Sequence, residues 1–343
     1  MDDIPELVDT KKKISIIIIT GFLGSGKTTF LNHILRENHG KRIVVIQNEF
    51  GDRIGLEEAM LLNKNDVMEW IEFPNGCLCC TVKTDMLMAI EKLVEKNSDI
   101  DSIFIETDGL ADPEPIIRSL WVDSELESSI YLDATICIVD TMHFLEELDL
   151  ANKHKNEAYR QVAYADIILM NKIDRSRDIN ELENVLTTIN PIAKRYQTIK
   201  AQIPIRHILN TNIFNSINTI LAPTRPVCNC HSLHNEGIHD PTIKAITIIN
   251  YDDYTIEKVN KWLAYLLWEQ TTMMIYRIKG LISVSGADEK YNLQAVMHTF
   301  DLEKSDILWK ADETRINKIV VIGKNLDREL IENYKKDIID SLT

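Results

Sequence analysis

The chain has 343 residues, 38 basic and 53 acidic side chains, and a formal net charge of −15. A surface that negative repels a phosphate backbone over most of its area and argues against a nucleic-acid partner. Hydrophobic residues make up 45% and charged residues 27%, which excludes a disordered chain and suits one large domain and one smaller one.

Residues 1–13 are polar, acidic and then basic, and read as a flexible tail. Lys11–Lys13 followed by Ile14–Ile19 has the beginnings of a signal peptide. The run passes into the glycine-rich, charged stretch Gly21–Lys27 with no small-residue cleavage site, so we read a buried strand. No other stretch is long and apolar enough to span a bilayer, and no membrane role is expected. The expected location is the cytoplasm, and also the nucleus. There the six cysteines would be reduced, and their clustering points to metal more than to disulfides.

Beyond Ile14, short apolar runs alternate with helical segments. Strands are predicted over Ile14–Thr20, Arg42–Ile46, Ile103–Glu106, Thr135–Asp140 and Ile167–Met170, and helices over Lys27–Glu37, Asp85–Lys96, Pro113–Leu120 and Ile179–Ile189. That alternation predicts an α/β domain over 14–221, with a mainly parallel sheet covered by helices on both faces. Residues 222–241 hold three prolines, two cysteines, three histidines and a glycine, and read as a linker. A smaller α+β domain is expected over 242–343. Its strands are placed at Ile243–Ile249, Met274–Val284, Leu293–Phe300 and Ile319–Ile322, and its helices at Thr255–Trp268 and Asp327–Ile339. Trp262 and Trp268 are expected on the buried face of the first helix, and Cys137 in the core.

Gly21-Phe-Leu-Gly24-Ser25-Gly26-Lys27-Thr28 fits the P-loop pattern G-x-x-x-x-G-K-[ST], between an apolar strand and a helix that opens at Lys27, Thr28 and Thr29. Such a turn aims successive backbone N–H groups at phosphates. Lys27 adds a point charge, Thr28 a hydroxyl for Mg²⁺, and the helix its positive end. Ile103–Glu106 ends in an acid and continues Thr107-Asp108-Gly109, a Walker-B layout. Glu106 would hold Mg²⁺ through water, and the Gly109 N–H would sense the γ-phosphate. Asn171-Lys172-Ile-Asp174 follows the strand Ile167–Met170. Asp174 can accept two hydrogen bonds from guanine, a donor pair that adenine lacks, so GTP is selected over ATP. Glu49, after the second strand, falls where GTPases place a switch segment, to line either Mg²⁺ or zinc, with a helix cap or loop acid as the alternative. Asp108 and Glu49 are the candidates to orient the attacking water.

Asn75-Gly76-Cys77-Leu78-Cys79-Cys80 puts three thiols within four residues. Thiolates favour Zn²⁺ or Cu(I), and three of them leave a fourth zinc position open for exchange. A structural site completed from elsewhere, or a redox pair, is the alternative. Cys228, Cys230, His231, His234 and His239 in the linker form a looser candidate for metal capture, set against a plain polar linker.

These motifs, in the order G-F-L-G-S-G-K-T, N-E-F-G-D, N-G-C-L-C-C, E-T-D-G-L-A-D-P and N-K-I-D, closely resemble the CobW-like family of metal-handling P-loop GTPases. Within it the chain looks like the eukaryotic branch of zinc-regulated GTPase metalloprotein activators. The resemblance extends to Leu267-Trp268-Glu269 and Arg277–Leu281 in the second domain. It implies a metal-binding loop of Cys77, Cys79 and Cys80 coupled to GTP hydrolysis. It also implies an N-terminal motif that docks on the zinc finger of type 1 methionine aminopeptidase. Ile4, Pro5, Leu7 and Val8 match that motif, while Asp9 stands where the family has proline. Proline pre-sets an extended backbone, so its loss weakens the expected docking.

Overall fold

A computed structural model describes residues 13–37, 40–47, 58–62, 68–72, 82–97, 99–124, 129–148, 155–176, 178–221, 242–252 and 254–333. The expected docking residues Ile4–Val8, Glu49, the cysteines at 77, 79 and 80 and the expected linker over 222–241 lie outside these residues.

The first unit contains strands β1 (Ile14–Thr20), β2 (Ile43–Gln47), β3 (Glu58–Leu62), β4 (Met68–Glu72), β5 (Ser102–Glu106), β6 (Ile130–Asp140), β7 (Ile167–Asn171) and β8 (Lys194–Thr198). Its helices are α1 (Lys27–Arg36), α2 (Val82–Lys96), α3 (Glu114–Ser124), α4 (Phe144–Glu147), α5 (Lys155–Tyr164), α6 (Ile179–Ile189) and α7 (Asn218–Leu221). The eight strands form one sheet in the order β4-β3-β2-β5-β1-β6-β7-β8. Strands β2, β5, β1, β6, β7 and β8 are mutually parallel, and β3 and β4 extend the sheet antiparallel beyond β2.

The isoleucine run of β1 is buried at every position and lies in the middle of the sheet. A continuously apolar strand needs cover on both faces, and it has it. Phe30, Leu31 and Ile34 of α1 pack on Ile17, Ile19 and Phe104 on one side. Side chains of α2, α3, α5 and α6 pack on Ile16, Ile18 and Ile103 on the other. Cys137 is in this core, and burial drives its thiol pKa far above the ordinary value.

The second unit holds β9 (Ile243–Asn250), α8 (Ile256–Ala264), β10 (Met274–Ser283), β11 (Glu289–Val296), β12 (Thr299–Leu308) and β13 (Asn317–Lys324). The five strands form an antiparallel sheet in the order β12-β11-β10-β13-β9. Val259, Trp262 and Leu263 of α8 cover one face. The other face joins the core of the first unit through Tyr276, Leu281, Val320 and Ile322, beside Tyr159 and Phe214.

Several expectations are corrected. The strand predicted at Leu293–Phe300 is two strands, because the chain reverses between Val296 and Thr299 with Met297 at φ 52°. Trp262 is buried, but Trp268 is 60% exposed. The α-helical period ends at Ala264, and the π turn Tyr265–Glu269 rotates Trp268 off the buried face. Its ring lies 5.5 Å from Phe300 and its Nε1 donates to His298 O at 2.8 Å. Of the helix expected over Asp327–Ile339, residues 328–333 are helical and those from 334 lie outside the described residues. The elements β3, β4, α5 and β8 were not anticipated.

Candidate nucleotide-binding site

The loops carrying the nucleotide motifs leave the C-terminal ends of parallel strands, the edge at which open α/β sheets bind ligands. After β1 comes Gly21–Gly26, after β5 Thr107–Gly109, and after β7 Lys172–Asp174. Ordering of the strands sets β1 between β5 and β6, so the P-loop lies beside the loops that serve it.

Gly26 closes the P-loop with φ 112° and caps α1. A Cβ there would sit 2.5 Å from Asn171 Nδ2, so a side chain is excluded by space as well as by backbone conformation. The same Asn171 Nδ2 donates to Ser25 O at 2.9 Å, and Asn171 Oδ1 accepts from Ala201 N at 2.7 Å. The first residue of the N-K-x-D tetrapeptide is thus a buried brace joining the P-loop to the loop after β8. Lys172, at φ 65°, donates from Nζ to Gly24 O and to Asp140 Oδ2, both at 2.8 Å. Asp174 stands at the rim, its side chain 44% exposed. Thr29 is exposed in the first turn of α1.

Lys27 folds over its own loop, donating to Gly21 O at 2.7 Å and Phe22 O at 3.2 Å. Burial lowers its pKa, opposed by the nearby charges of Glu106 and Asp108. Thr28 Oγ1 donates to Glu106 Oε1 at 3.1 Å, and Gln47 Nε2 donates to Glu106 Oε2 at 2.8 Å. Thr28 and Glu106 form a pair of hard oxygen donors, a set that suits Mg²⁺. Asp108 Oδ1 accepts from Leu110 N at 2.8 Å, so one of its oxygens is engaged in its own turn.

Sequence reading missed Gln47, Asp140, Gln161 and the turn at Lys200 and Ala201, both at φ 53°. Asp140 had a usable signal, an acid ending an apolar strand just as Glu106 does. Burial works against its charge, but hydrogen bonds from Lys172 and His143 hold its carboxyl below the usual range. The others carry no local pattern.

Residues 15–200 match the profile described as CobW/HypB/UreG, nucleotide-binding domain, and residues 243–334 match that of the Cobalamin synthesis protein cobW C-terminal domain. This chain belongs to the CobW/HypB/UreG family. It is 33% identical to Zinc-regulated GTPase metalloprotein activator 1 of Saccharomyces cerevisiae, over 97% of this chain and 85% of that protein. It is 30% identical to Zinc chaperone YjiA of Escherichia coli, over 93% and 96% of the two chains. Its fold is similar to the crystal structure of Zn(II)-bound YjiA GTPase from E. coli, with a TM-score of 0.74 at 26% identity, covering 95% of this chain and 99% of that one. In this CobW-family chain, hydrogen bonds tie the P-loop helix to Glu106 and the P-loop to the N-K-x-D segment. Among the described residues, no group of three or more His, Cys, Asp or Glu side chains is placed to hold a metal ion. Neither the cysteine loop nor the linker is among them. Nor, among the described residues, is any helix long and apolar enough to cross a membrane.

Proposed function

We propose that this chain is a zinc metallochaperone that couples GTP binding and hydrolysis to delivery of zinc to a client metalloprotein. The observation that supports the nucleotide half is the hydrogen bond from Asn171 to Ser25, with Asn171 filling the space beside Gly26, which ties the N-K-x-D segment to the P-loop. The zinc half is supported by the thiol spacing of Cys77, Cys79 and Cys80 and by the names of the relatives.

In this reading the backbone N–H groups of Gly21–Thr28 cradle the phosphates, and Lys27 turns from its loop carbonyls to the β- and γ-phosphates. Asp174 selects guanine and Lys172 holds the base side of the site against Gly24. Thr28 and Glu106 would hold Mg²⁺, which supplies charge neutralisation at the phosphates. Gly109 offers its N–H to the γ-phosphate, and Asp108 or Glu49 orients the water. Hydrolysis breaks the bond between the γ-phosphorus and the β,γ-bridging oxygen and releases phosphate. Loss of γ-phosphate contacts frees the loops they ordered, and the zinc cargo on the cysteines then passes to the client's ligands. Type 1 methionine aminopeptidase is the client proposed, docked through Ile4, Pro5, Leu7 and Val8.

The experiment is GTP hydrolysis by metal-free protein, with and without stoichiometric zinc, beside a variant carrying Cys77→Ser, Cys79→Ser and Cys80→Ser. Zinc-dependent turnover that disappears in the variant is the expected result. Metal-free aminopeptidase added to the same reactions should gain activity only with intact cysteines and GTP. Turnover indifferent to zinc and to the cysteines rejects coupling and leaves a zinc buffer with a structural nucleotide.

A further inference from the structure

The loop after β5 is held by a helix that carries none of the nucleotide motifs. Gln161, on α5, is 1% exposed, and its Nε2 donates to Gly109 O at 3.0 Å and to Ala111 O at 3.1 Å. A buried amide is costly unless its donors are used, and these two carbonyls use them. The neighbouring Arg160 pairs with Asp112. Asp112 Oδ1 also accepts from Glu114 N at 3.0 Å, at the start of α3. Two adjacent side chains of α5 therefore fix the loop at positions 109, 111 and 112.

This loop bears on the P-loop directly. A Cβ at Gly109 would lie 2.7 Å from Leu23 N. A shift of Gly109 toward the P-loop is therefore met at once by P-loop backbone.

The other side of Arg160 faces the second domain. Its guanidinium lies 5.2 Å from the centre of the Tyr276 ring, and Nη2 reaches Met274 Sδ at 3.7 Å. A cation over a ring face is held by the ring's quadrupole. Tyr164, one turn along α5, meets Tyr276 at 6.1 Å, and Arg277 Nη1 donates to Tyr164 O at 2.7 Å and to Ala165 O at 3.2 Å. The register of β10 shifts between Ile275 and Arg277, which is how two consecutive residues both reach α5.

We propose that Gln161 and Arg160 are positioning residues for nucleotide turnover, which set the Gly109–Asp112 loop against the P-loop and tie it to the C-terminal sheet through Tyr276. The proposal rests on the reading of this chain as a GTPase. Neither side chain acts on the nucleotide itself; both act through the loop. The C-terminal domain thereby has a mechanical connection to the segment that responds to the γ-phosphate.

Gln161→Met keeps the side chain's length and removes both donors. Arg160→Met, at a half-buried position, removes the ion pair and the ring contact, and is the second variant should the first fold poorly. Each full-length chain is compared with wild type for affinity toward fluorescent GDP and a non-hydrolysable GTP analogue, for kcat, and for thermal midpoint. We expect GDP affinity to be retained while preference for the analogue over GDP falls about tenfold, as loss of a pair of buried hydrogen bonds implies, with a matching fall in kcat. Equal loss for both nucleotides with a lowered midpoint marks a merely structural role and overturns the proposal. So does an unchanged preference in both variants. If the wild-type chain hydrolyses no GTP, the GTPase reading fails separately, and the affinity ratio, which needs no hydrolysis, still decides the role of these two residues.

Discussion

Glu147 lies close enough to Asp140, His143, Lys172 and Lys27 to feel their charges, yet no expected role falls to it. It is buried, and its Oε2 has no hydrogen-bond partner among the described residues. Burial first, and the charge of Asp140 second, push its carboxyl pKa from 4.5 up to about 7. A carboxyl that holds its proton more tightly when folded favours folding below the unfolded value and loses that advantage as pH rises toward the folded value. We expect Glu147→Gln to remove this loss. Between about pH 5 and pH 8 the nucleotide-free variant should gain up to about 3 kcal/mol on wild type in denaturant unfolding. A difference that does not change with pH would mean that Glu147 is ionised throughout.

Single elements show how unevenly the chain announces itself. The helix predicted over Ile179–Ile189 is α6 residue for residue, with its apolar residues recurring at helical spacing, and in the structure Asp178 caps it. The Asp178 carboxylate accepts from Asn180 N at 2.9 Å and from Glu181 N at 3.0 Å. Asp178→Ala should cost about 1 kcal/mol, read as a lower urea midpoint at unchanged slope. No loss would show that solvent satisfies those donors equally well. In β8, by contrast, Lys-Arg-Tyr-Gln-Thr sits at the sheet edge with one side mostly open to water, so no apolar alternation marks it. The π turn after α8 has no sequence signature either, and it moved Trp268 from the expected core to the surface.

Across the whole molecule the two units meet on buried charge. Asp166, at the head of β7, accepts from Arg277 and, at 3.1 Å, from Lys279 of the second unit. All three side chains are almost fully buried. Burial opposes the Asp166 charge, but the two cations overcome it and keep its pKa below the ordinary value. Removing one member of such a cluster strands the others in low dielectric. Asp166→Asn should therefore cost about 3–5 kcal/mol in equilibrium unfolding, far more than an exposed pair would. A loss under about 1 kcal/mol would show that water reaches the two cations.

By itself the sequence determined the parallel sheet and its covering helices, because a continuous isoleucine strand has to be buried on both faces. It also marked the P-loop and N-K-x-D segments, where the chemistry of phosphate and guanine leaves few residue choices at fixed spacing. Only the tertiary structure decided that Asn171 braces Ser25, that Gln161 and Arg160 grip the loop after β5, and that Arg277 and Lys279 close on Asp166. Those partners are separated along the chain by 48 residues or more. A polar side chain looks the same in sequence whether water or a distant carbonyl satisfies it, and only packing determines which.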